Sequence, residues 1–200
     1  MTKLFAVALT ITCLSFAFYA CSHAARVSDW RLNPFKQKID YDDAMRNEQR
    51  DGLVDIDFRK LKAPEFAKTW PDIDSKSWNF RKSDYRGEHY YYRWGVDGME
   101  SGAVVTARVC VSYEVAQGMF LGMAKNTSML ELPWIACSKK IGTVCAKSDD
   151  NRTLFFAYKN VAIEIRCDYA LSGHEDFGEV LAEWLFNALK EAPLKRRLLW

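Results

Sequence analysis

The chain reads as an α+β domain, a mostly antiparallel sheet with two amphipathic helices packed on one face. Three observations point there. Leu154-Phe155-Phe156-Ala157-Tyr158 and Val161 to Tyr169 are short apolar runs parted by Lys159-Asn160, the signature of a hairpin, with Asn supplying tolerance of left-handed backbone. Phe177, Val180, Leu181, Trp184, Leu185, Ala188 and Leu189 then recur at helical spacing. Upstream, the β-branched run Ala103 to Val111 leads into a second helical stretch that Ser112 can cap.

Taken in order, Met1-Thr2-Lys3 precedes an uncharged run from Leu4 to Ala20 and a set of small residues, the layout of a secretory signal. Ser22-His23-Ala24 offers small residues for a cut after Ala24. Phe18-Tyr19-Ala20-Cys21 resembles a lipobox ending before an acylated Cys21, although Tyr19 fits that box badly. An uncleaved anchor of this length sits at the short end of a membrane span, typically about 17–25 residues. The expected organisation is a signal peptide over 1–24, one α+β domain over 25–192 and a basic tail over 193–200. Within the domain, residues 25–100 wrap or extend the sheet.

In that first part, Asp40 to Arg50 suggests a helix broken at Asp51-Gly52, and Leu53 to Phe58 alternates like a strand. Trp78-Asn79-Phe80 and Glu88 to Trp94 suggest an antiparallel pair turning through Asp84-Tyr85-Arg86-Gly87. The helix after Ser112 carries Val115, Ala116, Met119, Phe120, Met123 and Ala124 as one stripe; Gly118 and Gly122 read as points of tight contact with the sheet. Ile141 to Ala146 forms a strand before the hairpin. In the second hairpin strand, apolar odd positions alternate with Glu164, Arg166 and Asp168, which would face water. Ser172-Gly173-His174-Glu175 is a capping box opening the last helix, and Pro193 stops it. Phe177 and Trp184 on that helix read as core.

Removing 24 of the 200 residues leaves 176, ample for a hydrophobic core without a structural metal. The chain carries 28 Lys and Arg against 26 Asp and Glu, and only Lys3 of these lies in the signal, so the remainder is nearly neutral. That balance argues against a nucleic-acid partner, which asks for clustered excess cation. Lys195-Arg196-Arg197 is the one dense basic run; three charges contribute only about 1 kcal/mol each at an anionic membrane, so a solvated terminus is the simpler reading.

Six cysteines reduce to Cys110, Cys137, Cys145 and Cys167 once the signal is gone or Cys21 acylated. In an oxidising compartment an even set implies two disulfides. Cys137 and Cys145 suit a local loop, leaving Cys110 for Cys167 between strands, although Cys167 lies on the apolar phase of its strand and Cys110 on the less apolar phase of its own.

Outside the signal, histidine is limited to His89 and His174, which excludes a His-rich metal centre; no C-x-x-C pair offers a zinc site, and no metal or cofactor is expected. There is no H-E-x-x-H, phosphate loop or G-x-S-x-G. His174 sits among capping acids at a helix start. Asn126-Thr127-Ser128 and Asn151-Arg152-Thr153 are sequons in expected loops, relevant only to a eukaryotic secretory host. The suggestive stretch is Glu88-His89-Tyr90-Tyr91-Tyr92-Arg93-Trp94. As a strand it puts Tyr90, Tyr92 and Trp94 on a core face and His89, Tyr91 and Arg93 in a row on the other, a surface suited to stacking sugars or gripping a carboxylate. Aromatic cross-strand packing is the plainer account of the same pattern.

No catalytic group is assigned. The sequence supports an exported, disulfide-stabilised binding or interaction protein whose partner is a protein or envelope component, with membrane contact only through an N-terminal lipid anchor. The alternative is an extracytoplasmic hydrolase acting on a glycan or peptide, with His89 working beside Glu88 or Glu100. A structural or inhibitory domain that plugs into another protein is a third reading.

Overall fold

In the computed structural model, residues 32–61, 78–97, 102–128, 134–167 and 177–195 are described. The signal segment, Glu100, Asp168, the capping box with His174, and residues 196–200 lie outside that set. Along the chain run α1 (Asn33–Lys38), α2 (Tyr41–Arg46), β1 (Leu53–Val54), a 3-10 turn (Phe58–Lys60), β2 (Trp78–Tyr85), β3 (His89–Asp97) and β4 (Gly102–Cys110). Then follow α3 (Tyr113–Ser128), β5 (Trp134–Ala136), β6 (Val144–Ser148), β7 (Thr153–Tyr158), β8 (Val161–Cys167), α4 (Phe177–Glu191) and β9 (Leu194–Lys195).

Seven strands form one sheet in the order β2-β3-β4-β8-β7-β6-β5, every pair antiparallel. The α+β class stands. Two meanders, β2 to β4 and β5 to β8, meet where β4 pairs with β8, and α3 carries the chain between them by crossing β4, β8 and β7. Ser112 caps α3 as its position suggests, its Oγ accepting the Val115 amide at 3.3 Å.

The two long helices lie on opposite faces, not on one. Consecutive residues of β7 show why: Phe155 packs against Phe120 of α3 at 5.1 Å between ring centroids, while Phe156 turns to the other side and meets Phe186 of α4 at 6.5 Å. On β8, Ala162 joins the α3 cluster, and Val161, Ile163, Ile165 and Cys167 join the α4 cluster with Leu181, Leu185 and Leu189. A central strand roofed on both sides keeps water off most of its length, and on β8 Arg166 alone of the described residues is exposed. Glu164 is accordingly buried instead of solvated, its carboxylate accepting Arg166 Nε at 2.8 Å. Residues 32–45 thicken the α3 side, where Phe35 contacts Phe120, Trp134 and Phe155.

Several local expectations change. The helix expected over Asp40 to Arg50 ends at Arg46, α1 precedes it, and β1 covers only two residues of the run that alternates up to Phe58. Gly118 and Gly122 touch nothing closely, since a Cβ at either would have open space within 4 Å, so the tight-contact reading fails. Asn126 sits inside α3 and not in a loop. In the hairpin turn it is Lys159, at φ 50°, that takes the left-handed conformation. The C-terminal residues 194–195 are not a loose tail: β9 pairs antiparallel with β1, and Lys195 Nζ reaches Asp55 at 2.7 Å.

Cys137 and Cys145 form a disulfide with 5.7 Å between Cα atoms. Cys110 and Cys167 do not pair with one another. Register forbids it: Ala103 stands opposite Cys167 and Val109 opposite Val161, which puts the two cysteines at opposite ends of the β4–β8 ladder, roughly 20 Å apart at the usual strand rise. Within the bonded loop Gly142 holds φ 67°, and a Cβ there would run into the Ala157 carbonyl oxygen, while Thr143 donates its amide to the same carbonyl at 2.7 Å. Replacing both bonded cysteines by Ser is expected to cost roughly 2–3 kcal/mol, the chain-entropy value for a loop of this size. A denaturant midpoint unchanged between the oxidised protein and this variant would show that the loop is held by its other contacts alone.

Candidate functional site

Strand alternation in β3 places His89, Tyr91 and Arg93 on one face, where their partners across β4 are Cys110, Arg108 and Thr106. This is the face that also carries α3. The three do not form an open row. His89 is only 8% exposed, and its Nδ1 is buried without a hydrogen-bond partner. Burial pulls its imidazole below the usual histidine range, and the Arg108 and Arg86 guanidiniums push in the same direction against Glu88. The ring is therefore neutral at pH 7 and enclosed, a poor general base for an outside substrate. Its cross-strand neighbour Cys110 is no nucleophile either, because burial pushes the thiol up to about 12. Tyr91 lies under two guanidiniums, with Arg86 4.3 Å and Arg108 5.7 Å from its ring centroid. Arg93 is exposed farther along the strand.

The opposite face of the same ribbon holds an arrangement the sequence reading gave to the core. Tyr85 closes β2 directly opposite Tyr90, which follows the first residue of β3, and the two rings lie 4.8 Å apart. Both are outward, 55% and 53% exposed. Tyr92, two residues on, is buried against Phe58 at 5.5 Å between centroids. The difference comes from cover. The 3-10 turn at Phe58 reaches Tyr92 but stops short of Tyr90, so one strand face is core at one residue and surface two residues later. The turn itself is tight: Gly87 at φ 73° lets the chain reverse, Arg86 donates its amide to His89 O at 2.9 Å, and the Tyr85 hydroxyl donates to the Gly87 carbonyl.

Two adjoining clefts open here, of about 370 and 260 Å3, and share Arg59, Tyr90 and Tyr92. The first runs under Leu53–Asp57 and the second over Ser83 and Tyr85. Arg59 is fixed by Asp57, which accepts Nε and Nη2 at 2.8 Å each and also the Arg59 amide at 3.1 Å. The side-chain hydrogen bond from Arg59 is the largest influence holding the Asp57 carboxyl below its usual range. On the far wall Lys195 is paired with Asp55. Both cations of the groove thus already have carboxylate partners, leaving a neutral groove floored by aromatic rings. Tyr85, Arg59 and Asp57 were not singled out from the sequence, yet one signal was present: pairing the two strands through the Asp84–Gly87 turn places Tyr85 beside Tyr90.

A third cleft, about 440 Å3, lies between α2 and the disulfide loop, lined by Glu48, Thr143 and Lys159 among others. Three of its polar side chains, Glu48, Thr143 and Lys159, are used internally. Glu48 accepts the Lys159 amide at 2.9 Å and Thr143 Oγ1 at 3.0 Å, and Lys159 Nζ pairs with Asp51. This cleft stitches residues 47–54 to the hairpin turn.

Comparisons of the chain with protein-family models, with curated proteins and with solved structures find no match in any of the three. Among the described residues no group of His, Cys, Asp and Glu is arranged to hold a metal ion, and no helix is long and apolar enough to cross a membrane. The Cys137–Cys145 disulfide is compatible with an extracellular protein.

Proposed function

We propose that the protein is an exported binding domain that holds a neutral oligosaccharide of the cell envelope in the Tyr85–Tyr90 groove. The observation that carries this reading is the exposed pair of tyrosine rings over clefts whose charged groups are already satisfied. Sugar rings present apolar C–H faces that stack on such surfaces, and their hydroxyls find donors and acceptors in the Asp57–Arg59 fork without leaving a charge unpaired. A carboxylate or phosphate ligand would have to compete with Asp57 and Asp55 for the same cations. The disulfide supports a place outside the cytosol. For a hydrolase, the His89 reading lacks an accessible base.

The test is calorimetric titration of the protein with soluble neutral envelope oligosaccharides, including fragments built of N-acetylglucosamine. Tyr90→Ala is expected to weaken binding about tenfold, the effect of losing a stacking contact worth roughly 1–1.5 kcal/mol. Its melting temperature should stay within a degree or two, because the ring is half exposed. Absence of saturable binding to every fragment, or wild-type affinity in Tyr90→Ala, removes the proposal. Turnover of a fragment that His89→Ala abolishes would replace it with the hydrolase.

A further inference from the structure

We infer that the other face of the same ribbon, the side carrying α3, binds a non-nucleotide phosphate-bearing polyanionic chain through Lys82, Arg86, Arg93 and Arg108 gathered round Tyr91. Register places the cations. Lys82 on β2 stands directly opposite Arg93 on β3, and Tyr91 stands between Asp84 on β2 and Arg108 on β4. Arg86 folds back from the β2–β3 turn over the Tyr91 ring at 4.3 Å, with Arg108 at 5.7 Å.

The charges on this face do not cancel. Asp84 serves both Lys82, at 3.6 Å, and Arg86, at 3.5 Å. Among the described residues Arg93 and Arg108 have no carboxylate partner, and Arg108 Nη1 points instead at the Met123 sulfur of α3 at 2.8 Å, a weak acceptor. Glu88 beside the turn is the other nearby acid, and Glu164 farther across is taken by Arg166. Two like charges directly opposite on neighbouring strands destabilise the isolated sheet. Such a placement is relieved when an anion lies between them, and features that break a local rule concentrate at functional surfaces.

The occupant follows from shape and chemistry. Guanidinium forks match phosphate oxygens two at a time, and three of the four cations are arginines. Lys82, Arg93 and Arg108 stand on three successive strands, so a ligand that meets all of them carries several phosphates in series. The helix α3 packs on β4 and β8 and bounds the patch on one side. This surface is independent of the tyrosine groove, which lies on the reverse side of the ribbon.

The experiment is titration of the whole protein with short linear polyphosphate. Binding is expected to weaken as salt rises, and Arg93→Glu and Lys82→Glu should each weaken it about tenfold, while Lys38→Glu, exposed on α1, should change it less than twofold. Arg93→Glu should melt no lower than the wild type, since it turns a repulsive cross-strand pair into an attractive one. Tyr90→Ala should leave polyphosphate binding unchanged, which separates this proposal from the sugar groove. Wild-type affinity in both Glu variants, an equal loss in Lys38→Glu, or salt-independent binding overturns it. A single-stranded oligonucleotide of matched charge that binds tenfold tighter than polyphosphate would overturn it in favour of a nucleic acid.

Discussion

Replacing Glu179 by Ala is expected to lower the unfolding free energy by about 3–5 kcal/mol, the cost of breaking a buried ion pair by removing one partner. Glu179 is on α4 yet only 2% exposed. Lys147 of β6 pairs with it at 2.6 Å, and Ser138, next to the disulfide, donates both its amide, at 3.2 Å, and its hydroxyl. Burial alone would raise this carboxyl; the hydrogen bonds from Lys147 and Ser138 outweigh it and hold the group below the usual glutamate range. Its stabilising contribution is therefore complete above the unfolded-state value of about 4.3 and is lost as pH falls through the folded one. Equilibrium denaturation at successively lower pH should show the gap between wild type and Glu179→Ala narrowing once the pH is below the unfolded-state value. The double variant Lys147→Met with Glu179→Leu should recover most of the loss, because no uncompensated charge is left behind. A single-variant loss under 1 kcal/mol at pH 7 would mean that water solvates Lys147 and that the pair matters little.

Asn160→Ala comes next, with an expected loss of about 3 kcal/mol from buried backbone groups left without partners. The Asn160 side chain is fully enclosed and ties three elements together. Its Oδ1 accepts the Val54 amide at 2.6 Å, while Nδ2 donates to Val54 O at 3.3 Å and to Cys110 O at 2.9 Å. One amide thus anchors β1 to the β7–β8 turn and to the end of β4. Tyr113 reinforces the same segment, its hydroxyl donating to Gly52 O at 2.5 Å and accepting the Gly52 amide at 3.2 Å. Hydrogen exchange should show the Val54 amide losing protection in Asn160→Ala before the central strands do. Unchanged protection at Val54 would mean that β9 alone holds β1 in place.

Both predictions rest on polar side chains whose partners are distant in sequence, and that is where reading the chain in one dimension stops. Asn160 looks like a turn residue, and in this turn Lys159 takes the strained backbone while Asn160 supplies hydrogen bonds. Glu179 looks like a solvent-facing acid near a helix start; it is instead the carboxylate on which the disulfide loop and β6 converge. The functional surface divides the same way. Tyr90 and Tyr92 are equivalent in strand phase, and cover from Phe58 and its neighbours in the core makes one core while the other is surface. His89 carries the right chemistry for a site, but burial removes it from reach.

By itself the sequence determined the α+β class, the hairpin, the helix spacing and the Cys137–Cys145 loop, because each depends on side chains near one another along the chain. Only the tertiary structure decided that α3 and α4 take opposite faces, that Cys110 and Cys167 stand apart, and that the tyrosines form a groove. Those outcomes depend on register and on what covers each strand, and both are set by contacts between residues far apart in the chain.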